Sequence, residues 1–284
     1  MEYMGAESTY IGSQAIIKHF SGDNSMPQDI TGFLSDIQKS FEQFCTRWNG
    51  NSNFERNSWD CPLGKINAVV QRGDVFEKAS TVYCDLEIDT PPVLAKSLGL
   101  TASKMQALVL EIHFFPMNPH LPKPYMELRA NIVGKTIFAG GSDIFPYYPD
   151  PEAHKMFAAP IQRICKTHNV DYEALRKVRA DFFKSKYTGA PLGSHAGIYF
   201  FQLDEVQFPF FKDMAEGFFT SYGELVEKYK DIPCTPEQMQ HRLKVHGQLA
   251  QWILLEDEGT RFGLDKGIPP EALLGPILPP LAAF

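Results

Sequence analysis

Residues 127–141, ELRANIVGKTIFAGG, decide the fold. Apolar and polar residues alternate on both sides of Val133-Gly134-Lys135, and that tripeptide supplies a tight turn. Alternation with a period of two is the pattern of a strand, and a Gly-centred turn between two such runs makes an antiparallel pair. Working outward, ALVLEIHFF (107–115) continues the β pattern on the N-terminal side and HAGIYFFQL (195–203) adds a short strand on the other. Further back, Ile66, Ala68 and Val70 alternate with polar neighbours. Arg72-Gly73-Asp74 turns the chain, which returns through Val75, Ala79, Thr81 and Tyr83 as a hairpin.

Helices flank these strands. From Asp29, the residues Ile30, Phe33, Leu34, Ile37, Phe41 and Phe44 recur at helical spacing, and Asn49 to Asn53 ends the run. Residues 21–28 read as a loop. Asp171 can cap a helix that carries Leu175, Val178 and Phe182 on one face. Phe211, Met214, Phe218, Tyr222, Leu225 and Tyr229 form a second stripe, and Thr235-Pro236-Glu237-Gln238 is a capping-box helix start. The tail IPPEALLGPILPPLAAF reads as extended or turn-rich. Hairpins with few crossover units predict an α+β fold, an antiparallel sheet covered by helices.

Bulk properties exclude several classes. The chain has 284 residues, 27 Lys+Arg against 34 Asp+Glu, and a formal charge of -7, which argues against nucleic acid or an anionic membrane as the main partner. No apolar run approaches a membrane span and the N-terminus has no signal pattern, so a cytoplasmic protein is expected. Five cysteines without a CxxC spacing argue against a disulfide framework or a zinc knuckle. No phosphate loop, dinucleotide fingerprint, HExxH or GxSxG occurs. The residues alone therefore say α+β domain and no more.

A resemblance adds function. QRGDVFEKA (71–79), NPHLP (118–122) with Arg129 after it, FAGGSDIFPYYP (138–149), GIYFFQL (197–203), GTRFGL (259–264) and the final LPP (278–280) follow one another in the order found in the oxygen-dependent coproporphyrinogen III oxidases. FEQFCTRWNG (41–50) resembles that family's early helical segment. The resemblance implies a large antiparallel sheet sandwiched between helices, residues 1–284 as one domain with 1–28 as a peripheral segment, and a homodimer. It also implies an oxidase without cofactor or metal, with molecular oxygen as co-substrate, that decarboxylates propionate side chains of a reduced tetrapyrrole to vinyl groups.

The same resemblance assigns roles. Asp143 is the expected catalytic carboxylate, accepting hydrogen bonds from pyrrole N–H groups, and Arg129 the expected partner of a substrate carboxylate. Asn118 and His120 either orient substrate or close a Pro-rich turn. The departures are equally specific. Phe115 and Tyr125 stand where the family has histidines and Glu127 where it often has Asn. Met156 and Ala158 replace a histidine pair, residues 187–197 carry no arginine, Val245, His246, Gln248 and Gln251 replace a basic segment, and Glu258 replaces another arginine. Tyr125, Glu127, His195, His246, Gln248 and Gln251 are therefore the expected replacement pocket, with His195 or His246 as general base. A tetracarboxylate needs several cations, so the altered set predicts a pyrrole-type substrate with fewer carboxylates, unless Arg163, Arg176, Arg179 or Arg242 compensates. The alternatives are a cyclase or isomerase acting on a small aromatic metabolite, and a non-catalytic tetrapyrrole-binding homologue.

Overall fold

In the computed structural model, which describes residues 29–99, 101 and 104–284, the chain opens with helix α1 (Ile30–Asn49). Strands β1 (Phe54–Cys61), β2 (Gly64–Gln71) and β3 (Phe76–Asp89) follow. Helix α2 (Pro92–Leu98) leads to β4 (Lys104–Pro116), β5 (Lys123–Ile132) and β6 (Thr136–Phe145). Helices α3 (Pro151–Thr167) and α4 (Tyr172–Phe182) precede β7 (Ile198–Asp204). Then come α5 (Phe208–Tyr229), α6 (Pro236–Leu255), α7 (Glu258–Asp265) and α8 (Pro270–Ile277). The seven strands form one sheet in the order β1 to β7, every neighbouring pair antiparallel. This is the α+β arrangement that the hairpins predicted. The loop expected at 21–28 and the peripheral segment 1–28 lie outside the described residues.

Local signals act where they were read. The Asp29 carboxylate accepts from the Gly32 amide at 2.7 Å to start α1, and Gly50, at φ 66°, ends it. Thr235 and Gln238 form the reciprocal capping box of α6. Several elements differ from the sequence reading, which did not anticipate helices α2, α3 and α7. Strand β1, FERNSWDC, was not expected, because as an edge strand it is largely exposed on both faces and carries no apolar alternation. The tail is not extended: Pro270–Ile277 is helix α8. Proline is compatible with a first helical turn, and Ala272, Pro276 and Ile277 are buried, the alanine and isoleucine in a cluster with Ile66, Val82 and Leu86 of the sheet. Tertiary burial overrides the prolines' local message.

The pleat divides the sheet into two different faces. Leu108, Leu110, Ile112 and Phe114 of β4, Met126 and Leu128 of β5, Phe138 and Ile144 of β6 and Phe200 of β7 belong to the main core, which they share with the buried stripes of α1, α3 and α5. The opposite face carries Lys78, Glu111, His113, Lys123, Tyr125, Glu127, Arg129, Asp143 and Tyr199. It is nevertheless covered, by the end of α4, by α6 and by the 275–284 segment.

The Gly-Gly of FAGGSD serves this sheet. Gly140 has φ 131°, and a Cβ there would lie 2.1 Å from the Glu127 carbonyl oxygen of β5. Gly140→Ala is expected to destabilise the fold by more than the roughly 1–3 kcal/mol of backbone strain alone, seen as a lower urea midpoint. Gly275→Ala, at a helical site with nothing within 4 Å, is expected to leave the midpoint unchanged or raise it slightly.

Candidate active site

Three side chains of β5, each two residues apart, build the centre of the polar face. Glu127 Oε2 accepts from the Tyr125 hydroxyl at 2.7 Å and from the Tyr199 hydroxyl of β7 at 2.9 Å. Arg129 Nη2 lies 2.6 Å from Glu127 Oε1. Across the ladder, Glu111 sits opposite Glu127, and its Oε2 is 3.0 Å from His113 Nε2. These residues stand on the central strands of a covered sheet. Even so, the Arg129 and Glu111 side chains keep 38% and 27% of their exposure. Water therefore reaches this part of the face, and its exposed end is at Arg129 and Glu111.

The other end is closed. Lys78 is buried and donates to the Gly275 and Leu278 carbonyls at 2.5 and 2.6 Å, while Ser80 donates to the Pro276 carbonyl at 2.6 Å. Lys123 is also buried, and its ammonium lies 5.1 Å from the Phe115 ring centroid and 5.0 Å from that of Phe145.

Burial shifts the charges of this face. Desolvation, with Glu127 and then Asp257 nearby, raises the Glu111 carboxyl above the ordinary carboxylate range. Desolvation, reinforced by Lys123 and Lys78, holds His113 well below the ordinary imidazole value, so the ring is neutral. Glu111 and His113 thus share a hydrogen bond rather than an ion pair. Such a pair can hold or pass one proton at neutral pH. Burial lowers Lys78 and Lys123 to about 7 each. Burial and the Glu127 charge raise Tyr125 and Tyr199 well above the ordinary phenol value, so both remain donors. Glu127 in turn holds Arg129 firmly charged.

The residues expected from sequence divide. Tyr125, Glu127 and Arg129 come together on this face, with Arg129 on Glu127. Asp143 is on the same face, directly paired with Tyr125, and fully buried. Its carboxylate is already filled. Oδ1 accepts from Ser194 Oγ at 2.7 Å and the Gly197 amide at 2.9 Å. Oδ2 accepts from the His195 amide at 3.1 Å and lies 3.0 Å from Arg179 Nη2. Three hydrogen bonds and an ion pair with the protein use most of a carboxylate's acceptor capacity. Asp143 thus holds the 194–197 turn and Arg179 in place, Glu127 is held by Tyr125, Tyr199 and Arg129, and Glu111 is the more exposed carboxyl of this face. His195 sits in that turn at φ 60°, with Nε2 buried and unpartnered.

The other expected residues are elsewhere. His246 is buried with both nitrogens engaged: Nδ1 donates to the Leu281 carbonyl at 2.9 Å, and Nε2 accepts from Tyr147 at 2.8 Å. Burial lowers its pKa to about 4. It ties down the C-terminal segment and is not placed to act as a base. Gln248 and Gln251 are exposed, whereas α6 buries Arg242, His246, Ala250 and Ile253. They belong to the outer surface of that helix. Asn118 Oδ1 accepts from the His120 amide at 2.9 Å, and Nδ2 donates to the Lys230 and Ile232 carbonyls, so Asn118 and His120 close a turn against the end of α5.

Sequence reasoning missed Lys78, Lys123, Glu111, His113 and Tyr199. Their strands alternate polar and apolar, which reads as a solvated outer face. Only the covering elements make that face a site. Of the four arginines weighed as compensators, two enter the interior, Arg179 on Asp143 and Arg242 on Glu77 at 2.9 Å. Arg163 is exposed, and Arg176 pairs with Glu173 at the surface. Among the described residues, no group of three His, Cys, Asp or Glu side chains is placed to hold a metal ion.

Comparison with known proteins gives a consistent set of relatives. The family model described as coproporphyrinogen III oxidase matches residues 29–284. An oxygen-dependent coproporphyrinogen-III oxidase of Francisella philomiragia is 26% identical over 274 residues, covering 89% of this chain and 88% of that protein. Among solved structures, tomato phytochromobilin synthase in complex with biliverdin superposes with a TM-score of 0.56 at 11% identity, covering 84% of this chain and 79% of that one. That likeness is one of fold.

The lowered lysines carry a pH signature. In the unfolded chain Lys123 titrates near its ordinary 10.5, and in the fold near 7. Between those values the unfolded state binds more protons, so stability rises with pH across that window, and the penalty is complete below about 7. Lys123→Met is expected to raise the urea midpoint at pH 6 and to change it little at pH 10. Equal shifts at both pH values would contradict a lysine whose charged form is penalised by burial.

Proposed function

The chain belongs to the coproporphyrinogen III oxidase family, and on that premise we propose that this oxidoreductase removes carbon dioxide and two hydrogens from a carboxyalkyl-bearing pyrrole, with molecular oxygen taking up the two hydrogens and no cofactor involved. The observation that carries the reading is the Glu127 centre. One carboxylate is held by two tyrosines and an arginine, beside a second carboxyl, Glu111, whose proton affinity is raised.

The chemistry follows from that arrangement. Withdrawing electrons from a pyrrole leaves positive charge on the ring and weakens its N–H bonds. A preorganised carboxylate facing the N–H groups stabilises that charge most where it is largest, in the transition state. Glu127 is preorganised because Tyr125, Tyr199 and Arg129 fix both its oxygens. When it is ionised, the Glu111 carboxylate beside it can accept the proton that the ring or the adjacent methylene releases. Asp143 keeps Arg179 and the 194–197 turn in place at the side of this face.

The altered substrate is part of the reading. Arg129 is engaged by Glu127, Arg179 by Asp143 and Arg242 by Glu77. The cations of this region are thus largely occupied by the protein's own carboxylates. That supports a pyrrole-type substrate with fewer carboxylates than coproporphyrinogen III. A homodimer and a cytoplasmic setting belong to the same proposal, as does a single domain over residues 1–284. No helix among the described residues is long and apolar enough to cross a membrane.

The test is aerobic and anaerobic incubation with coproporphyrinogen III and with mono- and dicarboxylic pyrroles, followed by mass spectrometry of the products. Oxygen-dependent loss of carbon dioxide is expected, strongest with the smaller acids. Glu127→Gln is expected to lower kcat at least about 100-fold, the scale of removing one preorganised electrostatic group, with the thermal midpoint retained. Turnover that continues without oxygen would instead favour a cyclase or isomerase. Tight binding without turnover would favour a binding protein.

A further inference from the structure

Lys123 is the cation of the polar face that the protein leaves least answered. Its side chain is buried, yet its closest acceptor is the carbonyl of its own neighbour Pro124, at 3.5 Å. The two rings beside it, Phe115 and Phe145, offer only their faces. An ammonium has three donors, and burying one without acceptors is costly. The other cations of the region each have a counter-charge or carbonyls: Arg129, Arg179 and Arg242 lie against carboxylates, although some of their nitrogens make no hydrogen bond, and Lys78 has two carbonyls.

His113 points to the same place. It is buried, Nε2 faces Glu111 and Nδ1 has no partner. In the tautomer in which Nε2 accepts from the Glu111 carboxyl, the imidazole proton sits on Nδ1. That leaves a second buried donor without an acceptor. His113 pairs with Tyr125 across the β4–β5 ladder, one step of the pleat from Lys123. Two unanswered donors, from two strands, thus lie at the closed end of the face. The two carboxyls, Glu111 and Glu127, lie toward its exposed end.

We infer that Lys123 and His113 Nδ1 form a seat for a single carboxylate of the ligand, while Glu111 and Glu127 face its N–H groups, so that the site takes an N–H aromatic acid lying along β5 with its carboxylate inward. This rests on the proposed reading of the polar face as the substrate site and specifies which end of the substrate goes where. The span is compatible. Lys123 and Glu127 are four strand steps apart, about 13 Å, and both side chains are long enough to shorten that gap. The Gly275–Leu278 carbonyls close the lysine end, so the acid enters past Arg129. A single seat also explains how the chain tolerates the loss of the family's basic segment: one carboxylate is anchored inside, and any others remain in water.

Binding separates this from the oxidase reading. The probes are coproporphyrin III and its tetramethyl ester, with indole-3-propionic acid and its methyl ester as the single-carboxylate pair. Dissociation constants are read by fluorescence. Wild-type protein is expected to bind at least one acid more than about tenfold tighter than its ester. Lys123→Met is expected to abolish that preference, and Lys123→Arg to keep most of it, with the ester affinity unchanged throughout. Lys123→Gln serves if the methionine variant does not fold. The same acid-over-ester preference in folded Lys123→Met or Lys123→Gln overturns the seat, as does failure of wild type to prefer either acid. Binding with the expected preference but without oxygen uptake overturns the oxidase reading and leaves the seat standing. Oxygen-dependent turnover with KM unchanged in Lys123→Met does the reverse.

Discussion

Each side chain on β5 faces opposite to its neighbour, and in this protein both faces of the sheet are covered. The rest of the molecule depends on that constraint. Met126, Leu128 and Ala130 can join the main core only if Tyr125, Glu127 and Arg129 turn to the other side. A one-residue slip of β5 would exchange the two sets and leave charge against α5. Gly140 and Gly141 protect the register, because backbone from the neighbouring strands approaches where their Cβ atoms would be.

A covered polar face is stable only if its groups answer one another. Most do so in pairs that cross elements: Asp143 with Arg179, Glu77 with Arg242, Glu127 with Arg129 and two tyrosines, Lys78 and Ser80 with the carbonyls of the C-terminal segment. These contacts tie α4, α6 and the tail to the sheet. The buried pairs are more evidence of a fixed geometry than of added stability, since desolvation offsets much of the attraction. Against that background Lys123 stands out as a buried charge with no carboxylate in contact, because the low-dielectric setting that rewards a paired group penalises an unpaired one.

The contrast with the family pattern has a physical shape. Positions that in the resemblance carry cations on the 187–197 loop and on α6 are neutral here, and α6 instead contributes His246 as an anchor for the tail. The polar equipment has moved onto the strands themselves, where Glu111, His113, Lys123 and Glu127 share one pleat face. A site built on central strands is held more rigidly than one built on loops. That suits a reaction in which the protein's contribution is placement and electrostatics.

The sequence by itself determined the antiparallel hairpins, the capped starts of α1, α4 and α6, the buried stripe of α5 and the order of motifs that marks the family. Those signals are local: spacing, caps and turns within a few residues of one another. It also placed Tyr125, Glu127 and Arg129 on one face, because period two requires it. The tertiary structure decided what that face meets. Alternation cannot distinguish a solvated face from one roofed by helices that arrive more than a hundred residues later, so Lys78, Glu111 and His113 read as surface. Equally, only the fold shows that Asp143 holds Ser194, His195, Gly197 and Arg179, and that the orientation of α6 turns Gln248 and Gln251 outward. Exposed on both sides, β1 left no pattern to read, and α8 formed against its prolines because burial on the sheet outweighs local preference.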